Sequence, residues 1–395
     1  MSPPDRSLIE APPTCEAGTP CLIVDERALE DTAARISSAC RDAGCELLYS
    51  VKAMAFAPAL RVISTHVSGY SVSSAYELRL VRETVREDVH IQLISPYAPP
   101  STIAQLSSSD AHILNSERQL LSQADSCGQH PQLGLRLNAG LSFADDDRYN
   151  PGRPHSKLGV PLPLINSIFS TNPHLRENLS GFNLHHNCES NDFRQLLELA
   201  TRVSHECRDA LDAVDWINVG GGYTFESDET HDHLRAAVDV LRRHKLQVYV
   251  EPGAAFVRSA AYLVATVVDK ITREGREILI LDTTVNHLPE VFEYQFSPDV
   301  LGAIDEGDYK YTLAGCSCLA GDLFGDYCFA DEKSVGERIV FENVGDYTTT
   351  KWHYFNGINH PSIYRVLTDG RFVLEKEFTY EEFAARNGGN TYAAV

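Results

Sequence analysis

The sequence has no apolar run that approaches the roughly 18 residues needed to span a bilayer. It contains 10 cysteines but no pair of C-x-x-C units, and this absence argues against a structural zinc site. Basic residues are scarce, since 34 Lys and Arg accompany 55 Asp and Glu, for a formal net charge of −21. Because phosphate contacts need clustered Lys and Arg, this balance argues against nucleic-acid binding. We therefore expect no membrane, metal or nucleic-acid partner.

The first residues, Met1–Arg6, lack a basic region followed by a long apolar core, so we expect no secretory signal. The cysteines show no regular spacing, and Cys316 and Cys318 are too close for an easy mutual disulfide. Reduced thiols in the cytoplasm are the simplest explanation. At 395 residues, the chain is long enough for one barrel-sized domain and a smaller companion.

Short apolar runs recur through the first two-thirds of the chain, with segments of helical spacing between them. The eight runs are Glu46–Val51, Gly69–Ser73, His90–Ile94, Ala111–Leu114, Leu133–Leu137, Gly181–Leu184, Asp215–Val219 and Gln247–Val250. Strand and helix alternating about every 20 residues is typical of βα units on a parallel sheet. The pattern predicts an α/β fold, a (β/α)8 TIM-type barrel over residues 25–260. The doubled gap Asn138–Ser180, with acidic residues at 145–147, predicts a long loop at the barrel mouth.

After about residue 260 the pattern changes to strands without a long helical stripe between them. The expected strands are Tyr262–Asp269, Glu277–Asp282, Tyr309–Ala314, Arg338–Glu342, Ser362–Leu367 and Arg371–Leu374. This pattern predicts a C-terminal all-β domain over residues 261–395. The short apolar piece Pro20–Val24 offers a way for residues 1–24 to join that domain.

Chemically versatile residues follow directly after several of the predicted barrel strands. In a parallel barrel the C-terminal ends of all strands face one mouth, so Lys52, His185 and Glu251 are expected to converge there. A partly desolvated lysine is an amine nucleophile, and a carboxylate can keep a pyridine nitrogen protonated. The run Gly220, Gly221 and Gly222 lets backbone N–H groups approach a phosphate, and an imidazole can stack on an aromatic ring. Together they predict a pyridoxal 5'-phosphate site.

Each of these residues also has an ordinary interpretation. Lys52 alone resembles a surface lysine, Glu251 a salt-bridge or capping residue, and His185 a core histidine. His185, His186 and Glu189 superficially suggest a metal site, but adjacent strand residues point in opposite directions, so no metal is expected. In the loop Gly315–Asp322, Cys318 is a candidate proton donor and Asp322 a candidate anchor for an amine, although an isolated cysteine is usually inert.

At this point the chain resembles a known family, the fold-type III pyridoxal-phosphate decarboxylases of ornithine, arginine and diaminopimelate. The likeness runs from about Cys21 to Gly357, and within the family it is greatest to the carboxynorspermidine branch, especially over Asp282–Glu293. The motifs appear in family order. They are Tyr49–Ala53, Ser73–Leu78, Arg136–Asn138, Ser156–Gly159, Gly181–Glu189, Gly220–Gly222, Glu251–Gly253, Ser317–Asp322 and Tyr347 through Phe355–Gly357.

The resemblance implies a role for each matching residue. Lys52 would form the internal aldimine, Glu251 would pair with the pyridinium nitrogen and His185 would stack on the ring. Cys188, Gly220, Gly221, Gly222 and Tyr347 would hold the phosphate. Family members are homodimers with shared active sites, so Cys318 would come from the partner subunit and protonate the product carbon. The residues implied on the substrate side are Asp322, His287, Glu290 and Asn183.

The chain also departs from that branch. Asn183 stands where the branch usually has histidine, Ala254 where it has an acidic residue, and Asn286 where it has a small one. The predicted function is a carboxynorspermidine or carboxyspermidine decarboxylase-like enzyme of polyamine biosynthesis. The departures leave open a related amino acid from a specialised pathway. An amino-acid racemase and a catalytically silent homologue are less favoured, because Glu251 suits a full electron sink and Lys52, Glu251 and Cys318 are all present.

Overall fold

The computed structural model describes residues 18–86, 88–123, 131–141, 143–144 and 146–389. The chain divides into two compact units. One comprises Asp31–Phe256, and the other comprises the described residues up to Glu30 together with those from Val257 onward. Within these ranges, no helix is long and apolar enough to cross a membrane.

The first unit is a closed barrel of parallel strands, which confirms the predicted fold class. Its eight strands are Glu46–Ser50, Gly69–Val72, His90–Ile94, Ala111–Leu114, Gln132–Asn138, Gly181–Asn183, Trp216–Asn218 and Gln247–Val250. The sheet closes because Gln247–Val250 pairs with Glu46–Ser50 and Ala111–Leu114 pairs with Gln132–Asn138. Side chains fill the interior, where Leu48, Ala111, Ile113, Trp216 and Tyr249 pack together. The barrel is therefore a packed core, as expected for eight strands.

Helices alternate with the barrel strands along the chain, and the first of them precedes the first strand. They are Glu26–Ala43, Ala57–Ile63, Ala75–Thr84, Pro100–Ile103, Glu117–Gln123, Leu162–Thr171, Leu175–Asn178, Arg194–Glu206, Arg208–Leu211, His231–Arg242 and Ala254–Val257. Glu26–Ala43 begins after Asp25, whose carboxylate accepts hydrogen bonds from the N–H groups of Arg27 (2.9 Å) and Ala28 (3.2 Å) and so caps the helix. The apolar side chains on one face of this helix are buried, namely Leu29, Ala33, Ile36 and Cys40.

The segment between Asn138 and Ser180 is more structured than the long loop predicted for it. After an irregular stretch it forms the short strand Val160–Pro161 and then the helices Leu162–Thr171 and Leu175–Asn178. Pro161 and Pro163 flank the start of the first of these helices, where a missing N–H costs little. Asp145, part of the acidic run noted above, lies outside the described residues.

The second unit is built on a mixed sheet. Its strands are Cys21–Asp25, Ala261–Arg273, Arg276–Leu281, Ala303–Ile304, Tyr309–Ala314, Leu323–Phe329, Arg338–Phe341, Ser362–Val366 and Phe372–Lys376. Cys21–Asp25 pairs antiparallel with Ala261–Arg273 and parallel with Ser362–Val366, and the residues that pack at this junction are apolar. The unit also contains the helices Pro289–Tyr294 and Tyr380–Arg386, which the expectation of an all-β domain did not include.

Candidate active site

Lys52 lies in a 3-10 turn, Val51–Ala53, that directly follows the barrel strand Glu46–Ser50. Val51 and Ala53 are buried and anchor the turn, whereas Lys52 is exposed. The positive charge of Lys52 acts on both Glu251 and His185, since it contributes to the pKa of each. The three predicted residues therefore lie together at the C-terminal end of the barrel strands.

Glu251 is buried, with 4% of its surface exposed. Burial raises the pKa of its carboxyl group, while the Lys52 ammonium and hydrogen bonds from Asn218 and Ser71 act in the opposite direction. Asn218 Nδ2 donates to Glu251 Oε2 at 2.8 Å. The protein thus buries a carboxylate and surrounds it with polar groups that favour its charged form.

His185 is held as a neutral imidazole. The N–H of Gly221 donates to His185 Nδ1 at 3.0 Å, so this nitrogen carries no proton. Burial lowers the pKa of His185 well below its usual value, and the nearby Lys52 and Arg136 charges lower it further. About a fifth of the side chain (22%) is exposed, which leaves part of the ring open for a stacking partner.

The glycine turn packs against backbone too closely for any side chain. Gly220 and Gly222 have φ values of +83° and +88°, and a Cβ on Gly222 would lie 2.2 Å from the carbonyl oxygen of Asn187. A Cβ on Gly221 would lie 2.4 Å from the carbonyl oxygen of Glu251. The turn therefore requires glycine at these positions, and it lies directly beside the backbone of Cys188.

Two residues at this site received no role in the sequence analysis. Asn218 is fully buried, and its side chain bonds Gln92 Oε1 (2.7 Å), Glu251 Oε2 (2.8 Å) and the N–H of Gly220 (2.8 Å). Arg136 Nη2 donates to the carbonyl oxygen of His185 at 3.2 Å. Burial lowers the pKa of Arg136, and Glu251 opposes that shift. The sequence did carry a signal for Asn218, because an asparagine interrupts an apolar strand just before the glycine run.

The second unit carries the remaining candidate residues. Cys318 is exposed, and its N–H donates to Asn356 Oδ1 at 2.8 Å. The Asp322 carboxylate is 3% exposed and accepts hydrogen bonds from the N–H groups of Val285 (2.7 Å) and Ser317 (2.9 Å). These contacts use the carboxylate to hold the loop that carries Cys318.

Glu290 and His287 also have protein partners. Glu290 Oε1 lies 2.8 Å from the ammonium of Lys351, which also contacts Glu293 and lies 5.6 Å from the centre of the Tyr347 ring. His287 is fully buried, and burial lowers its pKa to about 3. Tyr347 adopts a positive φ of +53°, a conformation that non-glycine residues reach only when their surroundings impose it.

Comparison with known proteins assigns the family. Residues 28–258 match the family model described as pyridoxal-dependent decarboxylase, pyridoxal binding domain. The chain belongs to this family, and it is a pyridoxal-phosphate-dependent carboxy-lyase.

The relatives narrow this class. The carboxyaminopropylagmatine decarboxylase of Synechocystis sp. is 31% identical over 97% of this chain and 98% of its own length. The carboxynorspermidine/carboxyspermidine decarboxylase of Herminiimonas arsenicoxydans is 30% identical over 93% of this chain and 98% of its own. The crystal structure of carboxynorspermidine decarboxylase from Campylobacter jejuni, complexed with norspermidine, superposes with a TM-score of 0.83 at 26% identity, covering 93% of this chain and all of that one.

The first unit fits the cofactor on its own geometry. It offers a lysine amine, a buried carboxylate, a neutral imidazole whose ring is partly exposed, and a glycine cradle that a Cβ would fill. These groups match the aldehyde, the ring nitrogen, the ring face and the phosphate of pyridoxal phosphate, respectively.

Proposed function

We propose that this enzyme decarboxylates a carboxylated polyamine, with carboxynorspermidine, carboxyspermidine and carboxyaminopropylagmatine as candidate substrates. The observation that carries the reaction type is the buried Glu251 carboxylate, which Asn218 orients and which lies near Lys52. The substrate class rests on the names of relatives that align over more than nine-tenths of the chain.

The proposed cofactor residues of the barrel are Lys52, Glu251, His185, Cys188 and the glycine turn Gly220–Gly222. Tyr347 stays a prediction from the family resemblance. When bound, pyridoxal phosphate supplies an electron sink for the pair left when carbon dioxide departs. The protein's part is electrostatic. Glu251 keeps a positive charge on the ring nitrogen, and neutral His185 adds no competing charge at the ring face. Lys52 would hold the cofactor through its amine between turnovers, and that amine would be exchanged for the substrate amine on binding and for the product amine on release.

Protonation of the substrate carbon requires an acid near the cofactor. We assign it to the Cys318 thiol, which is exposed on its loop. Asp322 is proposed to keep that loop in place, because its carboxylate already accepts hydrogen bonds from Ser317 and Val285. Glu290 and His287 remain the candidate substrate contacts, and an amine that reaches Glu290 must share it with Lys351.

The same loop supports the prediction of a homodimer. Apolar side chains that are 40–47% exposed accompany Cys318 in the second unit, namely Phe292, Leu323 and Phe355. A second copy of the chain would cover them and would place Cys318 in the neighbouring barrel, so an isolated protomer is expected to be inactive. A cytoplasmic location remains a prediction. It agrees with the eight cysteines of the described residues that are free thiols.

Carbon dioxide release tests the reaction and the substrate together. Purified holoenzyme is incubated with the three carboxylated polyamines and with diaminopimelate, ornithine, arginine and lysine, with Lys52→Ala as the control. Release from a carboxylated polyamine, absent in the control, supports the proposal. Equal activity on ornithine or lysine would contradict the substrate class. Racemisation without carbon dioxide release would favour the racemase alternative.

Mixing two inactive variants tests the shared site. Lys52→Ala and Cys318→Ala homodimers are combined and allowed to exchange subunits. If each site takes Lys52 and Cys318 from different chains, half of the dimers contain one intact site, and the mixture recovers roughly a quarter of wild-type activity. If both residues come from one chain, no activity returns although mixed dimers form.

A further inference from the structure

Asn183 is a buried polar side chain that the protein itself leaves unsatisfied. It ends the barrel strand Gly181–Asn183 and is 0% exposed. Among the described residues, neither its Oδ1 nor its Nδ2 has a hydrogen-bond partner. Buried amides are almost always paired, because an unpaired one loses its hydration without compensation. An exception at this position indicates a group that binds there in the working enzyme.

The neighbouring side chains show that Asn183 faces the barrel interior. Gly181, two residues earlier and on the same face, approaches Trp216 so closely that a Cβ would lie 2.1 Å from the indole. Trp216 belongs to the apolar cluster that fills the barrel. Asn183 therefore lies one layer above this cluster, nearer the C-terminal ends of the strands.

The strand register places polar residues on both sides of Asn183. Its Cα is paired with that of Arg136 on one neighbouring strand and with that of Asn218 on the other. Asn218 binds the Glu251 carboxylate, and Arg136 binds the backbone of His185. Asn183 is thus level with the residues that orient both ring-binding groups, and it is the member of this layer whose amide is unpaired.

The chemistry of the ring selects the contact. Beyond the groups already matched to Lys52, Glu251 and the glycine turn, the remaining hydrogen-bonding substituent of pyridoxal phosphate is its phenolic oxygen. We propose that the Asn183 amide donates a hydrogen bond to this oxygen, which makes Asn183 a cofactor contact and not a substrate contact. The depth of Asn183 agrees, because His185 follows it on the chain toward the mouth where substrate enters. The inference rests on the cofactor residues proposed above.

Two variants test the contact on the holoenzyme. Asn183→Leu removes both polar atoms at similar volume, and Asn183→Asp keeps the shape but replaces the donor with an acceptor. We expect the visible absorption band of the bound cofactor to shift in both, and the cofactor Kd from equilibrium dialysis to rise about tenfold or more. The KM of the substrate should stay within about twofold of wild type, since the contact is made to the cofactor.

Thr32→Val is the control. The Thr32 side chain is also buried, at 2% exposed, but it lies on the helix Glu26–Ala43, which precedes the first barrel strand. The substitution keeps the shape and removes the hydroxyl, so it should leave the cofactor spectrum and Kd unchanged.

The outcomes separate the possible failures. A wild-type spectrum and Kd in both Asn183 variants would overturn the inference, as would a changed KM with unchanged cofactor binding. If Lys52→Ala also leaves the cofactor spectrum unchanged, the proposed cofactor site itself fails, independently of Asn183.

Discussion

Asn218 offers the sharpest test of how the barrel prepares its cofactor site. Its amide nitrogen donates to Gln92 and to Glu251, and its oxygen accepts from the N–H of Gly220. Asn218→Asp keeps the size and the acceptor but removes both donors. The substitution places a second carboxylate where the amide nitrogen lay 2.8 Å from Glu251 Oε2.

The expected cost follows from the groups left behind. Gln92 loses the partner of its buried carbonyl, and the Glu251 carboxylate loses a donor, which together are worth about 3–5 kcal/mol. Two carboxylates at this distance do not both stay ionised, so one takes up a proton and the pKa of the pair rises. Proton uptake restores one hydrogen bond, so we expect a net loss of about 3 kcal/mol in the free energy of unfolding. A Glu251 that is neutral or shares a proton no longer holds the ring nitrogen protonated.

Asp110→Asn is the matched reciprocal swap at the opposite end of the barrel. Asp110 is also fully buried, pairs with Arg82 at 2.6 Å and accepts from the N–H of Ile91 at 2.9 Å. Urea unfolding should show a loss of stability of about 2–4 kcal/mol in both variants. Only Asn218→Asp should weaken cofactor binding and lower the rate of carbon dioxide release, by about 100-fold or more. If Asn218→Asp binds cofactor and turns over like Asp110→Asn, the proposed role of the Asn218 bonds is refuted.

Three further predictions concern single sites. Gly222→Ala should raise the cofactor Kd at least tenfold, because its Cβ would lie 2.2 Å from the Asn187 carbonyl oxygen. Gly275→Ala, with a similar φ of +80° and open space around its Cβ, should cost only about 1–2 kcal/mol of stability and leave cofactor binding intact. Because burial lowers the pKa of His287 to about 3, the unfolded chain takes up this proton first as pH falls below about 6.5. His287 should therefore lower the free energy of unfolding by about 2 kcal/mol between pH 8 and pH 5. In urea unfolding, His287→Gln should lose about that much less stability than the wild type over the same pH range. Lys351→Met removes the cation beside Glu290, so the KM for a cationic polyamine should fall if Glu290 binds substrate. The control Lys351→Arg keeps the cation and should leave the KM near wild type. A KM that does not fall in Lys351→Met would argue against Glu290 as a substrate contact.

The barrel was predictable because each of its strands is buried and short, so it appears in the sequence as a continuous apolar run. The strand Leu323–Phe329 was not recognised, and its register explains why. The pairing with Tyr309–Ala314 shifts between Leu313 and Ala314, and the strand contains Gly325 at a φ of +141°. A bulge of this kind breaks the alternation of apolar and polar residues on which strand recognition depends.

The candidate site was predictable to a lesser degree. Residues after strand ends could be found, because parallel strands bring their C-terminal ends together. The contacts of Asp322 could not, since the partners that occupy its carboxylate include Val285, 37 residues away in the chain. Asn218 was missed for the same reason, because its partner Gln92 is 126 residues distant. Such pairings depend on tertiary packing, which leaves no periodic signal.

The hydrogen bonds of Asn218 also fix the groups proposed for the phosphate relative to those proposed for the ring. One amide binds the N–H that opens the glycine turn and the carboxylate proposed for the ring nitrogen. The next N–H of the turn, on Gly221, fixes His185. The groups proposed for the phosphate, the ring nitrogen and the ring face are therefore joined by hydrogen bonds through one buried side chain and one turn. Such a network is set before the cofactor binds, so little reorganisation is needed when charge develops on the ring.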